Sequence, residues 1–272
     1  MLTKTIQDKG VYELARLTHY TEGPAIDRQG NVYVTTLTGG DILKIGKRGK
    51  MNIWAHSPCP NGQLILPNGD HIICDSKSSS VRVFDADGEF YRDLVTGICA
   101  GVRVQVPNDL AMDSSGNLFF TDSVREEGKV FKVGKNGEEK LLAEGLDYPN
   151  GLVFSGDGKY LYVAESYRNR ILKFELNDIS KYTVLADLPS HPSGNIICNL
   201  PDGLAIDHKG AIWVAHYGMG AIHQYSQDGQ HLCSIQVGMP LVSNIAFIDS
   251  RSMVVTGGFG EPGPGRVVII TI

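Results

Sequence analysis

The sequence predicts an all-β protein, a six-bladed β-propeller with four antiparallel strands per blade. Three observations predict it: a motif that recurs six times, a constant strand-and-turn content in each repeat, and an N-terminal strand left over to close the ring. The copies read TEGPAIDRQGNVYVTT (21–36), PNGQLILPNGDHIICDS (60–76), PNDLAMDSSGNLFFTDS (107–123), PNGLVFSGDGKYLYVAES (149–166), PDGLAIDHKGAIWVAHYG (201–218) and VSNIAFIDSRSMVVTGG (242–258). In each, an oxygen-bearing residue precedes Gly, Asp or Asn and a small apolar run, followed by a polar turn and a second apolar run. The heads are Glu22, Asn61, Asn108, Asn150, Asp202 and Ser243, spaced by 39, 47, 42, 52 and 41 residues on subtracting successive positions. A period of roughly 40–50 residues is that of propeller blades.

In the first unit the β-rich runs PAID, NVYVTT, DILKIG and MNIWAH are separated by Arg-Gln-Gly, Thr-Gly-Gly and Lys-Arg-Gly-Lys turns. Later units repeat the turn before the second strand as Ser-Ser-Gly-Asn, Gly-Asp-Gly-Lys and His-Lys-Gly. A β-sandwich shares the Gly-rich turn spacing, but not six copies of one turn-strand signature. The sixth unit supplies only IAFI, SMVVT and GRVVIITI, while VYELARLT (11–18) precedes the first inner strand without a blade of its own. That N-terminal strand is expected to complete the sixth blade and remove an exposed sheet edge. The run GGFGEPGPG (257–265) lacks a phosphate-binding Lys-Ser/Thr and a following helix, so it reads as a hairpin loop in the last blade.

The 272 residues, 42% hydrophobic with no linker or low-complexity stretch, are read as one domain spanning 1–272. A net charge of −5 and no basic stripe exclude nucleic acid as the expected partner. Residues 1–17 contain no apolar h-region, and no apolar run is long enough to span a bilayer, so the expectation is a cytoplasmic protein, with no membrane partner, acting on a small-molecule substrate. Five cysteines with no CxxC pair indicate neither a disulfide framework nor a thiolate zinc site. No GxSxG elbow is present, which removes the Ser/His/Asp hydrolase reading.

A repeat returns the same position to the same place in space, so the heads converge on one axis. Glu22 and Asp202 bring two carboxylates, and Asn108 and Asn150 two carbonyl oxygens, a set suited to a hard divalent cation. Calcium is favoured because it accepts irregular all-oxygen coordination completed by water, with magnesium, manganese or zinc as alternatives. Asn61 and Ser243 complete the ring. Pro-Asn-Gly and Pro-Asp-Gly are also ordinary turn sequences. Turn chemistry does not call for Glu22, however, and four such residues in register outweigh it. At the ends of the second strands, Asp122 and His216 are candidates for lining the cavity and contacting substrate, together with Asn61 and Asn108.

The set TEGP, PNDLAMDSSGNLFFTDS, YPNGLVFSGDGKYLYVAES and LPDGLAIDHKGAIWVAHYG resembles the senescence marker protein/gluconolactonase/luciferin-regenerating-enzyme (regucalcin-like) family over almost the whole chain. The resemblance implies a six-bladed propeller with a divalent metal at the bottom of a central cavity, and sugar lactonase activity. It assigns Glu22, Asn150 and Asp202 to the metal shell and makes Asn108 a ligand or substrate contact. It also implies that Asp109, in the Asn-Asp pair, is a carboxylate beside the reacting centre. Where bacterial gluconolactonases commonly carry Arg two residues before that Asn, this chain has Val106, which weakens the case for gluconolactone itself. The expected reaction is metal-assisted hydrolysis of a cyclic ester, with Asp202 or Asp109 as the base. The alternatives are a fluorophosphatase-like phosphotriesterase and a non-hydrolytic metal-binding propeller.

Overall fold

The computed structural model describes residues 10–47, 49–178 and 181–272; Arg48 of the predicted Lys-Arg-Gly-Lys turn and residues 1–9 lie outside them. The predicted propeller is present. Six antiparallel sheets surround an axis, their inner strands being Thr21–Ile26, Pro60–Ile65, Pro107–Met112, Pro149–Phe154, Leu200–Ile206 and Leu241–Phe247. Five sheets step outward through four consecutive strands, the sixth takes its outer strand from the N-terminus, and the second adds the short pair Ile98–Cys99 and Val102–Arg103 at its outer edge.

The period of two along each strand explains how the blades stack. In the fourth blade's second strand, Leu161 and Val163 pack into the cluster shared with the third blade, while Tyr162 and Ala164 face the fifth. A strand sandwiched between two blades is buried on both faces and therefore reads as an unbroken apolar run. The turns after the inner strands are also encoded locally. Asp27, Asp113 and Asp207 each accept two backbone N–H bonds from residues two and four ahead, closing the Asp-x-x-Gly turns.

Closure follows the expected course. Val11–Leu17 pairs antiparallel with Gly265–Thr271, from Val11 opposite Ile270 to Leu17 opposite Gly265, and becomes the outer strand of the sixth blade. Its partly buried Leu14, Ala15 and Leu17 join the cluster of Val34, Ile45, Val254 and Val267, and Glu13 pairs with Arg266 at 2.8 Å. The Gly-rich run forms the hairpin loop between Ser252–Gly258 and Gly265–Thr271. Among the described residues no helix is long and apolar enough to cross a membrane, and all five cysteines are free thiols.

One irregularity recurs in all six inner strands. The register with the second strand shifts at the head of each motif: between Glu22 and Ala25, Pro60 and Gln63, Pro107 and Leu110, Pro149 and Leu152, Pro201 and Leu204, and Val242 and Ile245. A bulge leaves residues unpaired and re-aims their side chains. Here it frees both the head and the residue after it to face the axis, toward opposite ends of the channel. Hydroxyls lock the heads in place from neighbouring strands: Thr35 donates to the Asn61 carbonyl, Thr121 to that of Asn150, and Ser166 to that of Pro201, each at 2.7–2.8 Å.

Candidate active site

Five of the six heads line one cavity of about 290 Å³ at one end of the channel: Glu22, Asn61, Asn108, Asn150 and Asp202. Ser243 does not join them, because its hydroxyl donates to the Thr21 carbonyl and bonds the Thr256 hydroxyl, both at 2.8 Å. The cavity walls are Tyr20, Leu37, Tyr148, Tyr167, Ile197, Leu200 and Tyr217, with Glu261 from the Gly-rich hairpin loop. A larger cleft of about 390 Å³ lies between the fifth and sixth blades around Asp207, Trp213 and Arg251. There Asp207 is fully engaged by Trp213, Gln224 and backbone N–H groups.

The electrostatics of the cavity set it apart. Burial first, then repulsion by Asp109, pushes the Glu22 carboxyl up to about 8; burial, then Glu22, raises Asp202 well above the carboxylate range. Two carboxylates are thus held together, desolvated, with no cationic side chain in the lining. The amide oxygens Asn61 Oδ1 and Asn150 Oδ1 are buried with no hydrogen-bond partner, the Asn150 amide group being turned by its donation to Ser166 Oγ at 3.3 Å. Buried polar atoms without partners are rare enough to call for a ligand. Among the described residues no group of three or more His, Cys, Asp or Glu side chains is placed to hold a metal. The donor set is instead carboxylate plus amide oxygen, which fits a hard divalent cation.

Three candidate residues lie elsewhere. Asp109 follows its head by one residue and lines a second cavity with Gln63 and Asn244, while its charge and the Asn244 amide both still act on the Glu22 carboxyl. Burial raises its carboxyl to about 6, and it accepts from Leu110 N and from Asn244. Asp122 is fully buried outside the cavity lining, accepting from the backbone N–H groups of Gln105 and Val106, with Lys129 at 3.6 Å. Asp75 and Glu165 hold the equivalent position and likewise accept from backbone N–H of the incoming connection, at Cys59 and Asp147. The end of the second strand therefore holds the loop that delivers the head of its own blade. His216 is likewise fully buried outside the lining, its Nδ1 bonded to His223 Nε2 at 3.0 Å and its Nε2 without a hydrogen-bond partner.

What sequence reading missed is the aromatic wall. Tyr20 and Tyr148 each stand two residues before a head, the position of Val106 in the third repeat, and that register was the available signal. Tyr148 adopts φ 63°, a strained left-handed conformation for a bulky residue, and turns into the cavity against Tyr167 at 5.7 Å between ring centres. The Tyr20 hydroxyl is buried and unpartnered.

The fold and this site define a six-bladed propeller whose channel ends in a carboxylate- and amide-lined cavity. The chain belongs to the SMP-30/gluconolactonase/LRE family, whose profile, described as an SMP-30/Gluconolactonase/LRE-like region, matches residues 20–258. It is 27% identical over 228 residues to the lactonase drp35 of Staphylococcus saprophyticus, covering 79% of this chain and 68% of that one. It is 29% identical over 210 residues to a gluconolactonase of Zymomonas mobilis, covering 70% of this chain and 58% of that one. In structure it is similar to the gluconolactonase XC5397 of Xanthomonas campestris, with a TM-score of 0.83, 24% identity, and 98% and 91% of the two chains covered.

Proposed function

We propose that this protein is a divalent-metal-dependent lactonase. The observation that carries the reading is the pairing of the buried Glu22 and Asp202 carboxylates with the unpartnered Asn61 and Asn150 oxygens in one cation-free cavity. The named activity of two relatives in the same family supports the reaction class. Glu22, Asn150 and Asp202 would hold the ion, with Asn108 and Asn61 beside them, and calcium suits that all-oxygen set best. When bound, such an ion supplies a positive charge that polarises the lactone carbonyl and stabilises the oxyanion formed on attack.

The chain's own residues do the rest. Asp202 takes the proton of the attacking water as its oxygen bonds the carbonyl carbon. The acyl C–O bond then breaks, the ring oxygen leaves as an alcohol after receiving a proton, and the acid product ionises. Asn108 and Tyr20 offer hydrogen bonds to substrate oxygens, the rings of Tyr148 and Tyr167 pack against its carbon skeleton, and Leu37 and Leu200 exclude water.

The test is an acid-release assay of metal-stripped protein against aldonolactones, aliphatic lactones and a fluorophosphate, with calcium, magnesium, manganese or zinc restored separately. Lactone turnover that returns with a metal and is lost in Glu22→Gln is the expected result. Turnover of the fluorophosphate alone would favour the phosphotriesterase reading, and tight metal binding without any acid release would leave a non-hydrolytic propeller.

A further inference from the structure

We infer that Glu261 acts as a charge filter at the mouth of the cavity, admitting neutral cyclic esters and repelling the hydroxy acid anion that hydrolysis produces. This rests on the lactonase reading. The lining carries three carboxylates, Glu22, Asp202 and Glu261, and no Lys, Arg or His. A divalent cation held by the ring balances the first two, so the uncompensated charge of the loaded cavity is that of Glu261. No ring ligand explains its presence: it comes from the hairpin loop of the sixth blade, the blade whose own head, Ser243, stays out of the cavity.

Its carboxylate is held rather than loose. Tyr217 donates its hydroxyl to Glu261 Oε1 at 2.9 Å, and Tyr217 is itself in edge contact with Tyr20. Burial and then the Glu261 charge raise the Tyr217 hydroxyl, which keeps it protonated as the donor. Other charges near this rim include Lys77, outside the lining, and Arg125 and Arg168, which share Asp147, lie outside the lining and are about half exposed, where water and salt screen them. Hydrolysis converts a neutral lactone and water into a carboxylate and a proton. A fixed negative charge at the exit therefore weakens product binding while leaving the neutral substrate free of Coulomb repulsion.

The test uses calcium-loaded wild type, Glu261→Gln and Glu261→Lys, each titrated calorimetrically with gluconate and with its neutral amide, gluconamide. The gluconate-to-gluconamide affinity ratio is expected to rise about threefold or more in Glu261→Gln and further in Glu261→Lys, and the differences to shrink in roughly half-molar salt. Tyr217→Phe, which keeps the charge, should leave the ratio near that of wild type, whereas a merely structural role would move it. A ratio equal in wild type and both Glu261 variants overturns the filter, as does the absence of binding by either ligand in all of them. Failure of wild type to open any lactone overturns the lactonase reading instead, and the ratio still reads the Glu261 charge.

Discussion

Asn244 donates its side-chain amide to Asp109 across the channel axis, at 3.4 Å, joining the sixth blade to the third. These blades are opposite in a ring of six, so the contact spans the channel below the cavity. Each side chain fills space left by a glycine in the neighbouring inner strand: a Cβ on Gly62 would run into the Asp109 carboxylate, and one on Gly203 into the Asn244 amide. The residues after the heads are thus Gly23, Gly62, Asp109, Gly151, Gly203 and Asn244, four glycines and one polar plug.

Asp109 as plug and Asp202 as base predict different variants. Asp109→Ala should keep metal binding and turnover within about tenfold of wild type while losing roughly 1–3 kcal/mol of stability, since the hydrogen bond from Asn244 is lost. Asp202→Asn should lose metal affinity and about 10²–10⁴ in kcat. Calorimetric metal titration, denaturant melts and initial rates on both variants decide this. Abolished turnover in a folded, metal-loaded Asp109→Ala would return Asp109 to the reacting centre.

The glycines yield a second prediction. A Cβ at Gly151 would lie 2.5 Å from the Asp202 carbonyl oxygen and from Gly203 Cα, backbone atoms that cannot step aside. Gly151→Ala should therefore cost about 1–3 kcal/mol by overpacking and weaken metal binding by displacing Asp202. Paired denaturant and metal titrations check it, with Gly156→Ala as the control, because a Cβ there meets nothing within 4 Å.

The metal-free site should show proton–metal competition. Burial, then Asp109, holds the Glu22 carboxyl at about 8 against an ordinary value of 4.5. A raised folded value contributes stability that is complete below pH 4.5 and drains away as pH rises toward about 8. A cation requires the ionised form, so its affinity should climb with pH up to about 8, by roughly tenfold per unit for each proton released. Calcium titrations from pH 6 to 9 test this, and a flat profile would remove Glu22 from the ligand set.

The ring was legible because each head is preceded by a connection, followed by a bulge and repeated at blade spacing; the bulge itself leaves no residue signature beyond the small residue after the head. The same bulge decides which side chains reach the cavity. Asp109 and Asn244 sit one residue beyond their heads and line the next cavity along the channel, directly behind Glu22, where Asn244 rather than Ser243 supplies the sixth blade's axial group. Asp122 and His216 end strands beside the heads, but Asp122 anchors the incoming loop and His216 is buried against His223. Tyr167, Ile197 and Glu261 come from connections that differ between repeats, so no periodic argument reaches them.

Ring closure is the testable consequence of the leftover strand. Val11–Leu17 pairs along the whole of Gly265–Thr271, and without it that strand becomes an exposed edge and the cluster of Val34, Ile45 and Val254 loses its Leu14, Ala15 and Leu17 cover. Deleting residues 1–18 should abolish cooperative unfolding, followed by circular dichroism and calorimetry. A truncated protein that melts in one sharp transition near the intact midpoint would show that the sixth blade is stable with three strands.

Acid should unfold the metal-loaded protein through buried histidines that contact no ligand. Burial lowers His71 to about 3, where its Nδ1 bonds Gln63 Oε1 at 2.9 Å; burial, then His223, lowers His216 to about 3; and burial, then His231, lowers His223 to about 4. Each folded value lies below the unfolded one near 6.5, so the unfolded chain binds more protons in between and stability is lost as pH falls through that window. The loss should reach roughly 2 kcal/mol per histidine by pH 5. Denaturant melts of calcium-loaded protein from pH 7.5 to 5 measure it. His71→Gln should flatten the pH dependence in proportion, whatever its effect on absolute stability, and a slope unchanged by that substitution would assign the acid sensitivity to other groups.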